Sequence, residues 1–300
     1  MKNRAHAATP LAIALLLCLF SPALAAAQAS TGELRDGLPT LRVAGSLGVS
    51  YLDRDGFDAA TIQPSVFVDG VVFESEGVFV SLDAAWQAAG AAGDISAFRA
   101  GNPLFGARAG YYQDGLRVRG GVALTLPLTN AYDDSRALLG GGLHGIIAMA
   151  TGLAMQGNWD PWLLSYLNMA LVFRGDFEYR AEYFDVGVEG AFAPMFPVEY
   201  EGRTGDTTLA AQIGGWAAAR PLPELAVGTR LHAVMLDSTA EDTSPVGFLA
   251  LTPFVRGEFD PAFVEARVVV NLVSDNYEGI YGQGGLPWGV FVLGGFALED

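Results

Sequence analysis

The chain has almost no lysine and almost no cysteine. Lys2 is the only lysine in 300 residues, and Cys18 is the only cysteine. One cysteine excludes a disulfide framework and a thiolate metal site. Acidic residues are missing from the first thirty positions, where Lys2 and Arg4 both fall. Those positions divide into a basic start, an apolar run at 11–20, and Pro22 followed by the small residues 23–29. This is the pattern of a secretory signal, with the expected cut after Ala27 and Ala29 as the next choice. Ten apolar residues are too few for an uncleaved anchor, which needs about 20. Cys18 follows Leu17, whereas a lipoprotein cysteine follows a small residue. The expected division is a signal peptide at 1–27, a short segment at 28–40 and one large domain at 41–300.

Basic charge is scarce throughout. The formal net charge is −16, and removal of Lys2 and Arg4 leaves 15 arginines against 33 acids, net −18. Such an anion has no electrostatic route to nucleic acid. Yet mean hydropathy is +0.31 and aromatic residues make up 11%, which is too apolar for a disordered chain. A chain both this charged and this apolar has to sort its residues by position.

Alternation with period two does the sorting. Leu116, Val118, Val122, Leu124, Leu126 and Leu128 share one parity, while Arg117, Arg119 and Thr125 share the other. Leu167, Met169, Leu171, Phe173, Phe177 and Tyr179 alternate with Asn168, Arg174, Asp176, Glu178 and Arg180. Val264, Ala266, Val268, Val270 and Leu272 alternate with Glu265, Arg267 and Asn271. Each stretch reads as a strand with one apolar and one charged face. Twelve strands are expected, at 41–52, 64–74, 78–87, 104–113, 116–128, 166–180, 183–198, 207–220, 224–236, 246–259, 262–274 and 288–298. Charges keep to one parity in six of the seven that carry two or more; the exception is Glu74, opposed to Asp69.

Connection lengths give a second signal. Links at 75–77, 114–115, 181–182, 221–223 and 260–261 are tight, and most carry Glu-Gly, Asp-Gly or proline turn chemistry. Links at 53–63, 88–103, 129–165, 199–206, 237–245 and 275–287 are longer, and together hold 15 acids against four arginines. Short and long links in turn suit an up-and-down barrel with one acidic rim. A soluble sandwich uses strands of about 5–6 residues, shorter than the 10–16 expected here. A lipocalin-like soluble barrel closes with about 8 strands.

By this pattern the chain from 41 onward resembles bacterial outer-membrane β-barrel proteins, porins among them. The resemblance implies an all-β, antiparallel, up-and-down transmembrane barrel of about twelve strands. It implies an outer-membrane location after signal cleavage, contact with outer-membrane lipid, and insertion by the barrel-insertion machinery. Such barrels commonly end in an aromatic residue, whereas this chain ends Phe296-Ala297-Leu298-Glu299-Asp300.

With apolar faces toward lipid, ten arginines point inward: Arg42, Arg108, Arg117, Arg119, Arg174, Arg180, Arg220, Arg230, Arg256 and Arg267. Asp69, Asp83, Asp176, Glu178, Asp185, Glu189, Glu224, Glu258 and Glu265 join them. One reading is a pore whose arginines favour small anionic solutes. The other is a non-conducting barrel plugged by ion pairs, with structural or surface-binding roles. The longest link, 129–165, contains an uncharged stretch at 137–155 with five glycines and a loose helical stripe. It is expected to hold a helix or compact fold on the rim or tucked into the mouth. The porin resemblance implies an inward-folded third outer loop, placing Asp133, Asp134 and Asp160 opposite Arg117, Arg119 and Arg174.

Other chemistry is thin. His144 shares that link with Ser135 and Ser165, which makes an outer-membrane lipid hydrolase a third reading, but no nucleophile motif surrounds them. The expectation is therefore no enzyme and no cofactor. His232 shares the parity of Arg230 and is expected to make a lumen hydrogen bond. Asp53, Asp55 and Asp58 form a weak Ca²⁺ candidate without a following carboxylate at loop spacing. Gly140–Gly142 lacks the strand–helix context of a phosphate loop.

Overall fold

The structure, a computed structural model, describes residues 40–54, 57–93, 97–127, 161–164, 168–198, 207–238, 246–275 and 288–298. The strands are β1 (Leu41–Arg54), β2 (Phe57–Ser75), β3 (Val78–Gly93), β4 (Ala97–Ala100), β5 (Leu104–Gln113) and β6 (Leu116–Thr125). They continue with β7 (Asn168–Arg180), β8 (Phe184–Pro197), β9 (Thr208–Leu222) and β10 (Leu225–Ser238). The last are β11 (Val246–Phe259), β12 (Ala262–Asp275) and β13 (Trp288–Leu298). A short helix, α1, spans Pro161–Leu164.

β4 and β5 both pair with β3, at its loop end and its turn end respectively, so together they make one interrupted stave. Every other neighbour in sequence pairs antiparallel, and β1 pairs with both β2 and β13. The sheet closes on itself as a twelve-stave antiparallel barrel with no free edge. With strands about 4.8 Å apart and tilted about 40°, twelve staves close at a backbone radius of about 12 Å.

Alternation sets the two faces as expected. Val118, Val122, Phe173, Phe177, Val264 and Val268 are exposed on the outside. Their sequence neighbours Arg117, Arg119, Glu178, Glu265 and Arg267 are buried inside. The inner face also carries aromatic rings, and four of them are matched directly across the ladder to an inward glycine. These pairs are Phe79–Gly110, Phe291–Gly48, Trp216–Gly187 and Phe254–Gly228. At Gly110 an added Cβ would stand 2.5 Å from Phe79 Cζ, so the absent side chain is the seat of the ring.

Two tight turns follow from their glycines. Glu76 and Gly77 take φ of +51° and +80°, and Asp114 and Gly115 take +48° and +79°. Positive φ at both central positions matches the right-handed twist of the joined strands.

Several expected boundaries change. Residues 57–63 belong to β2, and β1 reaches Arg54, so the first long link shrinks to 55–56. The link expected at 88–103 is largely strand too: β3 runs to Gly93, and β4 pairs back onto it through Ala88↔Ala100 and Ala91↔Ala97. Backbone pairing extends these hairpins past the apolar belt, where alternation no longer marks them. β6 ends at Thr125, three residues early. The expected signal peptide, the segment before Thr40 and the 137–155 stretch lie outside the described residues.

Candidate functional site

The lumen is the candidate site, and its two halves differ. In the half nearer the tight turns, arginines and carboxylates from neighbouring and from distant strands share one another. Arg119, on β6, places Nε 3.0 Å from Asp176 Oδ1 on β7 and Nη1 3.0 Å from Asp69 Oδ2 on β2. Arg108, on β5, lies 3.3 Å from Asp176 Oδ2 and 3.4 Å from Asp83 Oδ1. Asp83 also accepts from Arg174, and Glu178 from Arg117. A second group sits at the turn end. There Arg220 holds Asp185 at 2.9 Å and Glu258 at 2.7 Å, and Arg180 reaches Glu258 at 2.6 Å. In a third, Glu265 bridges Arg256 at 2.7 Å and Arg267 at 2.6 Å, while Arg230 pairs with Glu189.

Aromatic rings complete the belt. The guanidinium of Arg42 lies 5.3 Å from the ring centre of Phe263, and that of Arg256 5.7 Å from the same ring. Stacking suits the planar, weakly hydrated guanidinium better than an ammonium, consistent with arginine as the only basic residue besides histidine from position 41 onward.

The half nearer the long links is lined unevenly. On β1, β2 and β3 the inner face carries Ser46, Ser50, Thr61, Gln63, Ser65 and Gln87. Ser46 and Ser65 share a hydrogen bond of 2.8 Å, and Ser50 pairs with Thr61. Gln63 Nε2 and Oε1, Gln212 Oε1 and Thr252 Oγ1 are buried and meet no hydrogen-bond partner among the described residues. The wall made by β5 to β9 is instead apolar, with Leu104, Ala123, Ala170, Val172, Ala193 and Met195 packed around Trp162 and Leu163 of α1. The helix therefore lies inside the mouth, against this wall.

All ten arginines expected inside the barrel are buried or nearly so. Among the carboxylates, Glu224 departs from expectation: it lies exposed in the turn between β9 and β10, beyond the last inward position of either strand. Asp133, Asp134, Asp160, His144, Ser135 and Ser165 lie outside the described residues, as does Asp55 and the side chains of Asp53 and Asp58. The carboxylates that do face Arg117, Arg119 and Arg174 are strand residues: Glu178, Asp176, Asp69 and Asp83. His232 is buried on the inner face, on the parity of Arg230.

Two elements of the site escaped the sequence reading. Asn102, in the break between β4 and β5, had no periodic signal to mark it. Trp162 and Leu163 lay in a link whose visible features were the uncharged stretch, the aspartates and His144, and no period marked these two residues.

No protein-family model matches the sequence, and no curated protein matches it. Similarity appears in the fold. An outer membrane channel from Pseudomonas putida F1 superposes with a TM-score of 0.61 at 11% identity, covering 91% of this chain and all of that one. The translocator domain of the autotransporter NalP from Neisseria meningitidis gives 0.48 at 11% identity, over 97% and 96% of the two chains. The KdgM porin gives 0.39 at 9% identity, over 85% and 99%. At these identities the likeness is one of fold, and the chain is a closed, twelve-stave antiparallel β-barrel of the outer-membrane type.

Proposed function

We propose that this barrel is an outer-membrane channel for the passive passage of small solutes, anions among them. The observation that carries the reading is the uncommitted polar lining of the inner wall. Buried amide and hydroxyl atoms left without a partner cost free energy unless water or solute meets them, and Gln63, Gln212 Oε1 and Thr252 present atoms that meet none among the described residues. They lie on the inner faces of β2, β9 and β11, with the arginine belt below them. Fixed guanidiniums lower the electrostatic barrier for an anion in a low-dielectric tube. The fold likeness to an outer membrane channel supports the same reading.

The non-conducting alternative has its own support in the belt, where the described lumen arginines are buried or nearly so among carboxylates and rings. Planar-bilayer recording of the folded protein separates the two. Stepwise conductance, with a reversal potential displaced toward anions in a KCl gradient, is the expected result. Silence from correctly folded protein would establish the plugged barrel instead.

A further inference from the structure

The fourth stave is broken at Gly101-Asn102-Pro103, and the break is used. Gly101 N–H donates to Gln87 O at 2.7 Å, and Trp86 Nε1–H donates to Gly101 O at 3.1 Å, so the chain stays tied to β3. Asn102 is turned in and is fully buried. Its backbone N–H donates to Leu163 O at 2.6 Å, and its side-chain amide donates to Trp162 O at 3.2 Å. The same amide lies 3.5 Å from Asn168 O, at the start of β7. A Cβ on Gly101 would stand 2.5 Å from Leu163 O. A single helical turn has no stability of its own in water, and its last carbonyls need donors from elsewhere. Asn102 supplies two.

The wall beneath α1 changes character within two inward steps. On β5 the inner residues run Leu104, Gly106, Arg108, and on β7 they run Ala170, Val172, Arg174. Each step of two residues is about 7 Å. Gly106 leaves the space that Arg174 Nη2 occupies, since a Cβ there would collide with it. An apolar surface thus stands directly above two guanidiniums, and Trp162, with no exposed area, covers it.

We propose that Asn102 is the positioning residue that latches α1 onto this wall inside the mouth, so that the docked helix narrows the lumen above Arg174 and Arg108. The solutes it holds back are the bulkier ones, because the docked helix takes up cross-section of the lumen and brings no charge of its own. This inference rests on the channel reading above.

The test uses the full folded chain in planar bilayers and proteoliposomes, with folding checked by heat-modifiable migration. Chloride and gluconate serve as a small and a bulky anionic probe. Wild type is expected to favour chloride over gluconate by more than the ratio of their free mobilities. Asn102→Ala, and the nearly isosteric Asn102→Asp, which has no amide donor, are expected to raise chloride conductance roughly two- to tenfold. Trp162→Ala, which takes away the ring packed on the wall, is expected to raise gluconate passage relative to chloride. A conducting wild type whose conductance is unchanged in both Asn102 variants overturns the latch and leaves the channel standing. A wild-type preference no greater than the ratio of the free mobilities overturns the narrowing. A silent wild type opened by either the Asn102 variants or Trp162→Ala supports the latch. Silence in all of them, with folding intact, overturns the channel reading and this inference with it.

Discussion

A carboxylate inside a protein is stable as an anion only when cations and hydrogen-bond donors meet it. Asp176 meets three arginines: Arg119 at 3.0 Å, Arg108 at 3.3 Å and Arg117 at 3.9 Å. Removing its charge leaves those guanidiniums to repel one another with fewer compensating groups. Asp176→Asn is therefore expected to destabilise the barrel by about 3–5 kcal/mol, the usual cost of breaking a buried pair from one side. Denaturant unfolding from detergent micelles measures it. The same change is expected to move the bilayer reversal potential further toward anion selectivity. At Gly77, φ of +80° and Tyr112 O only 2.5 Å from a would-be Cβ leave no room for a side chain. Gly77→Val is expected to cost at least about 1–3 kcal/mol, read as a lower unfolding midpoint.

Strands in this barrel are joined by more than their ladders. An inward ring seated on a glycine of the next strand fills the lumen wall without pushing the staves apart, and pins register at that point. Gly110→Val meets Phe79 Cζ and Val118 O, which would stand 2.5 and 2.6 Å from its Cβ. It is expected to destabilise by about 1–3 kcal/mol through overpacking. Recovery of part of that loss in the Gly110→Val, Phe79→Ala double variant, by thermal unfolding, would identify the ring contact as the cause. Strand extent shows what alternation cannot report. Residues 59–63, Ala-Ala-Thr-Ile-Gln, hold no charge to mark a face, and 88–93, Ala-Ala-Gly-Ala-Ala-Gly, are all small. They are strand because β2 and β3 hydrogen-bond to each other across the register Ala59↔Gly93 to Ile62↔Gly90.

At the scale of the molecule the barrel is inverted relative to a soluble protein, with its charge inside and its exposed apolar residues outside. Val264 is half exposed on the outer face, while its neighbour Glu265 is 1% exposed on the inner one. Val264→Arg is expected to cost about 2–4 kcal/mol if it falls near the bilayer midplane and less toward either interface. Folding yield into phospholipid vesicles checks it. An unchanged yield would argue against a lipid-facing outer surface.

Period-two alternation, written locally in residues such as Arg117-Val118-Arg119 and Glu265-Ala266-Arg267, determined by itself that the chain is a sheet with one charged face. Turn glycines after Glu76 and Asp114 determined where hairpins reverse. Both rest on backbone geometry that a few neighbouring residues impose. Which arginine meets which carboxylate was decided only by closure, because Arg174 and Asp83 stand 91 residues apart and meet only when strands three staves away bend round to face them. Closure likewise decided that Asn102, silent in any pattern, lies against the carbonyls of a helix sixty residues later. A local period carries facing but not partnership, and the lumen chemistry depends on partnership.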